Sequence, residues 1–415
     1  MKKKTFTTKV NYIPNMDVKT IAIDLIYIFK KDLNHTFEID LIKRLLSTVA
    51  TGYETDALFT TELLKRLIIS YSTNIREDGN NMTVRFSLTI PKENLVDDYD
   101  IKKAIEFFKN AIFNPLVKDG AFDEERFNLE KKVLYKQYSN SKNSVYNVAS
   151  RKFMALIDPE EKIHRSFEFN LKQLEELTRE DVYKYYQENI INNNYSLYIG
   201  GCIEEDLANE IYEEYFKQDK DTFEVTLDYY DLLSPTGLFY KEDEYDFQQS
   251  ALFVEFRAED LKEEDLEYYS LIANILSTPE NDLLFKALRI ENNLVYSSYT
   301  SKMYNSGIFY IETYLKEDNK DKAIEVIKDV LKKLENRDFM QECIDRLKEG
   351  IEMQLIRNLD RKYQELENKI NQDLEFRTLD NILASYNKMT VDDALNYLSR
   401  IKINNILFIK GDNND

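Results

Sequence analysis

The sequence predicts an α+β protein with two homologous domains, each a mainly antiparallel sheet with helices on one face, together forming a clamshell. Three observations lead to this fold class. The chain has 415 residues, which is too long for one ordinary core. Hydrophobic residues make up 43% of it, with 29 Tyr and 24 Phe, so apolar material to bury is ample. The same order of predicted strands and helices also occurs twice along the chain.

Each repeat contains an alternating strand, an amphipathic helix and a long polar helix, in that order. The strand has the period of two that is typical of a half-buried sheet, and the helix has apolar residues on one face. In the first half these elements are predicted over residues 82–90, 101–108 and 122 to about 141, and in the second half over 307–315, 321–327 and 339 to about 370.

Each repeat then ends in a short helix and an apolar strand. The helix starts are marked by Thr178 with Asp181 and by Thr390 with Asp393, which have the spacing of a capping box. In a capping box the hydroxyl and the carboxylate satisfy free backbone donors at the start of a helix. The apolar runs that follow are closed by glycine, and four such matches in one order indicate a duplication.

The segment 217–246 is predicted to be the linker between the two domains. It is acidic and contains the turn-forming run 234–237, Ser-Pro-Thr-Gly. The N-terminal domain is therefore predicted over 1–216 and the C-terminal domain over 247–415. A clamshell of this kind encloses a cavity that can hold an extended substrate.

The formal net charge of the chain is −20, with 76 acidic and 56 basic residues. A net basic surface that could displace the counterions of phosphates is absent, so a nucleic acid partner is not expected. The acidic surface has two interpretations. It serves solvation alone, or it also attracts cationic ligands such as basic peptides.

Cysteine use and hydropathy indicate a cytoplasmic protein. Cys202 and Cys343 are far apart, without metal or redox spacing, which fits a reducing compartment. The N-terminus is basic, but no apolar core of a signal peptide follows it. No stretch of about 18 apolar residues occurs, so no membrane partner is expected.

The most informative segment is 284–296, Leu-Phe-Lys-Ala-Leu-Arg-Ile-Glu-Asn-Asn-Leu-Val-Tyr. It is predicted to be a helix that ends in a turn and leads into a strand, and it carries Arg289 and Tyr296. With the strand opened by Gln-Gln-Ser at 248–250 and the duplicated halves, it resembles the pitrilysin/insulinase-type metallopeptidases, which include proteins like the mitochondrial processing peptidase. The family's pattern over this segment is L-F-x-x-L-R-E-x-x-G-L-V-Y-S. The resemblance covers nearly the whole chain and is strongest over 248–307.

The resemblance implies that peptides bind between the halves as an added strand at a sheet edge. It also implies that Arg289 and Tyr296 hold the substrate backbone and stabilise the oxyanion, for which a guanidinium and a phenol are suitable groups. From the residues alone another interpretation stays open, in which Arg289 pairs with a surface acid and Tyr296 packs in a strand.

The metal site of the family is degenerate in this sequence. Active members carry His-x-x-Glu-His, in which the histidines bind zinc and the glutamate activates water, and a later glutamate is the third ligand. The resemblance places Arg44, Ser47 and Thr48 over the motif and Gln137 at the third-ligand position, while Glu130 matches a glutamate of the family pattern. No metal is therefore expected in this chain, and we predict that it does not hydrolyse peptides alone.

A second placement of the motif begins at His35. The run His35-Thr-Phe-Glu38-Ile39 begins like the motif but lacks the second histidine. It lies at the entry of the first long helix, predicted over 39 to about 50, so His35 is interpreted as a helix-entry residue. The other histidine, His164, is predicted to lie in a loop.

Two functions follow from the resemblance. The first is a non-catalytic subunit of a bacterial heterodimeric peptidase in peptide processing, in which Arg289 and Tyr296 act in trans on a peptide at the zinc of a paralogous partner. The alternative is a zinc-free peptide-binding or scaffold protein, such as a homodimer, without a composite active site. An independent hydrolase using other groups is disfavoured, because no organised dyad or nucleophile elbow is recognisable.

Overall fold

The structure is a computed structural model that describes residues 2–237, 239–258 and 260–411. Leu238 of the predicted linker and the last four residues of the predicted C-terminal domain lie outside the described residues. The chain divides into two compact units. The first unit consists of residues 1–139, 168–229 and 360–376, and the second of 140–167, 230–359 and 377–415.

Fourteen strands and fifteen α-helices are found in the described part of the chain. Up to residue 229 they are β1 (Lys2–Thr7), β2 (Val10–Pro14), β3 (Thr20–Lys30), α1 (Thr36–Leu46), α2 (Asp56–Lys65), β4 (Ser70–Asp78), β5 (Asn81–Pro91), α3 (Ile101–Phe113), β6 (Val117–Lys118), β7 (Ala121–Phe122), α4 (Glu124–Asn140), α5 (Val145–Ile157), α6 (Phe167–Glu176), α7 (Arg179–Tyr186), β8 (Ser196–Gly201), α8 (Glu205–Ile211) and β9 (Thr222–Leu227). From residue 239 they are β10 (Phe239–Tyr245), β11 (Ser250–Ala258), α9 (Leu266–Ser277), α10 (Leu283–Phe285), β12 (Val295–Met303), β13 (Ile308–Leu315), α11 (Lys320–Lys333), α12 (Arg337–Asn358), α13 (Gln364–Asp373), α14 (Leu379–Tyr386), α15 (Val391–Arg400) and β14 (Ile401–Gly411).

Each unit contains a five-stranded sheet, and the two sheets have the same topology. The strand order is β2-β8-β3-β5-β4 in the first unit and β10-β14-β11-β13-β12 in the second. One pair is parallel in each, β2 with β8 and β10 with β14, and the other pairs are antiparallel. The predicted α+β class with duplicated, mainly antiparallel sheets is confirmed. In this topology β4 and β12 are equivalent, and each forms an edge of its sheet.

The capping boxes predicted from the sequence occur at the starts of α7 and α15. The hydroxyl of Thr178 accepts from the amide of Asp181, whose carboxylate accepts from the amide of Thr178. The same exchange joins Thr390 and Asp393. Among the described residues no helix is both long and apolar enough to cross a bilayer.

Two helix ends differ from the predictions. The first long helix, α1, ends at Leu46 rather than near residue 50, and Ser47 and Thr48 follow it. Their hydroxyls donate to the carbonyls of Lys43 and Arg44, which satisfies acceptors that the ending helix leaves free. The long polar helix predicted over 339–370 is two helices, α12 and α13.

Helix α5, from the first half of the sequence, belongs to the second unit, and helix α13, from the second half, belongs to the first unit. Helix α5 lies in the second unit and packs on its sheet, where the ring of Phe153 is 5.2 Å from that of Phe253. Helix α13 lies in the first unit, where Leu366 and Ile370 join the buried cluster on β3. Each sheet therefore has its main helix layer on one face, as predicted, and one further helix on the opposite face.

The predicted linker is largely ordered structure. Strand β9 pairs with β1, and β10 pairs with β14, so residues 228–237 are the stretch between them without helix or strand. The carbonyl of Leu233 accepts from Arg257, which forms a fully buried ion pair with Glu255. This stretch is thereby attached to the sheet of the second unit.

Candidate functional site

The site residues predicted from the sequence fall into two groups, one in each unit. Arg44, Ser47, Thr48 and Gln137 belong to the first unit, and Arg289 and Tyr296 belong to the second. The resemblance assigned the first group to the lost metal centre and the second to substrate binding.

Arg44 connects the residues of the first group that come from different helices. It lies in the last turn of α1, and its Nη2 donates to Oε1 of Gln137 on α4 at 2.6 Å. Its Nη1 is 3.8 Å from Oε2 of Glu130, and the other oxygen of that carboxylate, Oε1, accepts from Arg126 at 2.6 Å. The structure thus brings Arg44, Gln137 and Glu130 together across about 90 residues of sequence.

A cavity of about 360 Å³ lies beside this contact. It is lined by Asp40, Lys43, Arg44, Ser47, Thr48 and Glu130. Burial raises the pKa of the Asp40 carboxyl, although Arg44 and Lys43 act in the opposite direction.

These residues do not fit a zinc ion. Zinc in proteins is held by three or four thiolate, imidazole or carboxylate ligands. Here a guanidinium lies at the centre, and the hydroxyls of Ser47 and Thr48 are committed to backbone carbonyls. Within the described ranges, no group of three or more His, Cys, Asp and Glu side chains is arranged to hold a metal ion.

The placement of the motif at His35 to Ile39 does not fit a metal site, because the position of the second histidine is buried in the core. His35 lies at the N-cap of α1, and its Nδ1 is 2.7 Å from Oε1 of Glu38. Ile39, where the motif requires the second histidine, is 2% exposed in the hydrophobic core. The ring of His164 contacts Asp158 at 2.9 Å.

Arg289 is held by the backbone at the start of β12. It lies in a π-helical turn, Lys286–Glu291, that continues α10. Its Nη1 donates to the carbonyl of Val295 at 2.8 Å and to Oδ1 of Asn293 at 3.2 Å. Asn293 has a φ of 50° and stands where the family pattern has glycine, the other residue that readily adopts this left-handed conformation.

These contacts bear on the alternative interpretation of Arg289. In the described residues the guanidinium contacts a carbonyl and an amide oxygen, and no surface carboxylate pairs with it. Positive charge therefore stays available at the start of β12.

Tyr296 is held at the surface by a β-bulge. The register between β12 and β13 shifts between Val295 and Ser297, so Tyr296 has no partner residue in the ladder. Its side chain is 46% exposed, and packing within the strand does not account for it. Because β12 pairs with β13 alone among the strands of the described residues, its outer side is a free edge there for another strand.

Both faces of the sheet carry further features beside this free edge. A cavity of about 330 Å³ lies on the helix-covered face, lined by residues that include Ser277, Asp282, Ser298 and Thr300. On the other face a buried carboxylate, Glu312, lies among tyrosines. Glu312 is not among the site residues predicted from the sequence, although a glutamate inside the apolar run of β13 is a recognisable signal.

Comparison with known proteins identifies relatives of the whole fold. The family described as "Peptidase M16 inactive domain" matches residues 176–351. The curated protein "Probable inactive metalloprotease YmfF" of Bacillus subtilis is 21% identical over 353 residues, which cover 82% of this chain and 81% of that protein.

Solved structures show the same fold. A conserved protein from Enterococcus faecalis has a TM-score of 0.84 at 17% identity and covers 100% of this chain and 99% of its own. A peptidase M16 inactive domain from Pseudomonas fluorescens has a TM-score of 0.69 at 13% identity, with 99% and 98% coverage. The chain therefore has the fold of M16-like peptidases along its length, and its sequence resembles their inactive domain over residues 176–351.

Proposed function

We propose that this chain is the non-catalytic subunit of a heterodimeric zinc peptidase. It binds a peptide by strand addition and supplies Arg289 and Tyr296 to the zinc site of a paralogous partner. The observation that carries the proposal is the placement of both residues at the start of a free edge strand, with the phenol exposed and the guanidinium without an acidic partner.

The chemistry of these groups suits peptide hydrolysis. Attack on a peptide bond puts negative charge on the carbonyl oxygen, and donors already fixed in position stabilise that charge. The contacts of Arg289 with Val295 and Asn293 restrain its side chain before any substrate arrives. A peptide paired with β12 would have its backbone next to both side chains, since strand pairing is a main-chain interaction.

The first unit supports a role without zinc in this chain. Arg44 and Gln137 are in contact where the resemblance places two of the ligands, and a cation already lies between the helices. A water-activating base and the metal would both have to come from the partner subunit.

The test is to purify the chain together with a zinc-bearing paralogue and to assay peptide cleavage. We expect Arg289→Ala to lower kcat/KM of the complex about 100-fold, since that is the usual loss when one oxyanion donor is removed. Tyr296→Phe removes one hydroxyl and should also lower turnover. Zinc content and complex formation should not change.

Two variants serve as matched controls. Arg357→Ala removes an exposed arginine of α12, and Tyr240→Phe removes a phenolic hydroxyl at the opposite edge of the same sheet. Both should leave turnover unchanged. Full activity of a complex that carries Arg289→Ala and Tyr296→Phe together would contradict the proposal.

The second candidate is a zinc-free peptide-binding or scaffold protein, such as a homodimer. The free edge of β12 favours it equally, because a strand can add there without any catalysis. Peptide binding by the chain alone, with no zinc-bearing partner recovered and no turnover in any mixture, would support this candidate over the first.

A further inference from the structure

A carboxylate without a partner is buried in the sheet of the second unit. Glu312, in the middle of β13, is 4% exposed, and its Oε2 has no hydrogen-bond partner. Burial raises its pKa, and no cationic group acts to lower it. Burying an ionised carboxylate without a compensating cation is unfavourable, so the folded chain alone leaves this charge unsatisfied.

Four tyrosines surround this carboxylate, and together the five residues are called the tyrosine cluster: Tyr146, Tyr299, Tyr310, Tyr314 and Glu312. Strand pairing places Tyr299 of β12 directly opposite Glu312. Tyr310 and Tyr314 lie two residues before and after Glu312 and so share its face of the sheet. Helix α5 contributes Tyr146.

The electrostatics show that the members of the cluster are close together. The Glu312 carboxylate raises the pKa of the Tyr146 phenol more than burial does. The pKa of Tyr314 is raised by its own burial and then by Glu312, Tyr146, Tyr299 and Tyr310. The hydroxyl of Tyr314, like Oε2 of Glu312, is buried without a partner. Besides these groups, the hydroxyl of Ser301 hydrogen-bonds with Tyr310. Among the described residues no cationic group lowers the pKa of Glu312.

The cluster is open to a ligand on one side. Tyr146 is 47% exposed and Tyr299 is 57% exposed, while Glu312 lies beneath them. An ammonium or guanidinium group is attracted to the faces of aromatic rings and, more strongly, to an unpaired carboxylate. The formal charge of −20 would further favour the approach of a basic peptide.

A peptide strand that pairs with β12 would place an ammonium or guanidinium group of its side chains beside the tyrosine cluster. Successive side chains of an added strand point to opposite faces of the sheet. Ser298, Tyr299 and Thr300 all line the cavity beside β12. Because side chains alternate along a strand and Tyr299 pairs with Glu312, the ring of Tyr299 lies on the face of the tyrosine cluster, opposite to the side chains of Ser298 and Thr300. A side chain beside Tyr299 would therefore reach the cluster.

We propose that the tyrosine cluster binds the protonated amine or guanidinium of a basic residue in the peptide that adds to β12. The inference rests on the proposed strand addition and assigns its substrate class, an extended peptide with a lysine or arginine. The cationic side chain of the peptide compensates the charge of Glu312, whose Oε2 has no hydrogen-bond partner among the described residues.

The test measures binding of synthetic peptides to the full chain by isothermal titration calorimetry. One peptide contains a single lysine and has both termini blocked, and a second has norleucine in its place. We expect the lysine peptide to bind about tenfold more tightly, and Glu312→Gln to remove that difference. Glu325→Gln, which neutralises an exposed acid of α11, should preserve it.

Two further peptides separate the possible failures. A norleucine peptide with a free amino terminus tests whether an α-amino group occupies the cluster instead of a side chain, and its tighter binding would overturn the assignment to lysine or arginine. A lysine peptide methylated on backbone nitrogens tests strand addition. Binding of the methylated and unmodified peptides with equal affinity would overturn the proposed strand addition. Equal binding of the lysine and norleucine peptides, with the methylated form still weaker, would overturn only the inference drawn here.

The thermal stability of Glu312→Gln provides a second readout. Because the folded-state pKa of Glu312 is raised above its ordinary value of 4.5, protonation favours the folded state. That contribution is fully present below the ordinary pKa and is lost as the pH rises through the raised value. The glutamine variant should therefore melt at a higher temperature than the parent at neutral pH and equally at pH values below 4.5. A lower melting temperature at neutral pH would show an internal partner for the carboxylate and overturn the inference.

Discussion

At the scale of single residues, Arg44 occupies a position that the resemblance assigns to a metal ligand. The family resemblance named Arg44 and Gln137 separately, from two helices far apart in sequence, and the structure joins them by a hydrogen bond of 2.6 Å. The assignment of these positions to a former metal centre stays a prediction. The contact shows that side chains of α1 and α4 reach each other at these positions, which a zinc site with ligands from both helices would also need.

Restoring the ligands tests that assignment. We expect the combined changes Arg44→His, Ser47→Glu, Thr48→His and Gln137→Glu to produce a chain that binds one zinc ion, measured by metal analysis of the purified protein. The hydroxyl of Thr48 already reaches the carbonyl of Arg44, so the two positions are one turn apart. The same set with Thr48 left unchanged is the control and should bind zinc much more weakly. A folded quadruple variant without zinc would contradict the assignment.

Among the elements, α13 was the least predictable from the sequence. The sequence predicts one helix from residue 339 to about 370. The stretch between α12 and α13, Leu359 to Tyr363, contains neither glycine nor proline that would mark a break. The chain passes from the second unit to the first in this stretch. There the carbonyl of Lys362 accepts from Asn15, and the hydroxyl of Tyr363 contacts that of Thr20. Contacts with the first unit, rather than local propensity, therefore define the break.

Arg85 of β5 forms a buried ion pair with Asp24 of β3, within the sheet, and a more exposed one with Glu367 of α13. Arg85 donates to both oxygens of Asp24 at 2.8 Å and to both oxygens of Glu367 on α13, at 2.7 and 2.9 Å. We expect Arg85→Ala to lower the free energy of unfolding by about 3 kcal/mol, because it leaves the buried Asp24 uncompensated. Glu367→Ala should cost under about 1 kcal/mol, since solvent screens this carboxylate. Urea denaturation of both variants measures the difference, and equal losses would contradict this account.

On the scale of the whole molecule, the duplication is visible in both sequence and structure, but the compact units are discontinuous in sequence. The repeated strands and capping boxes follow from patterns of a few residues, so they could be predicted. The exchange of α5 and α13 could not be predicted, because an apolar helix face is equally suited to either sheet. The boundaries 1–216 and 247–415 describe the sequence repeat and stay a prediction for the domains.

Because α13 belongs to the first unit, a fragment that lacks α13 should expose the apolar face that this helix covers. A fragment of residues 1–229 lacks α13 and exposes the apolar side chains of Ala22, Ile26 and Ile28 on one face of β3. We expect it to bind a hydrophobic dye more strongly than the full chain does and to self-associate through this face. A synthetic peptide of residues 360–376 should reduce the dye binding, and a scrambled peptide should not. A monomeric fragment with no dye binding would contradict the importance of α13.

The sequence by itself determined the α+β class, the duplication, the helix starts and the Arg289–Tyr296 segment, because each depends on residues close together in the chain. Tertiary structure alone decided which sheet each exchanged helix covers, the bulge that exposes Tyr296, and the meeting of Glu312 with four tyrosines. These features depend on strand register and on contacts between residues far apart in sequence. No local pattern encodes them, since a glutamate in an apolar strand becomes a buried charge only when the neighbouring strand and helix are in place.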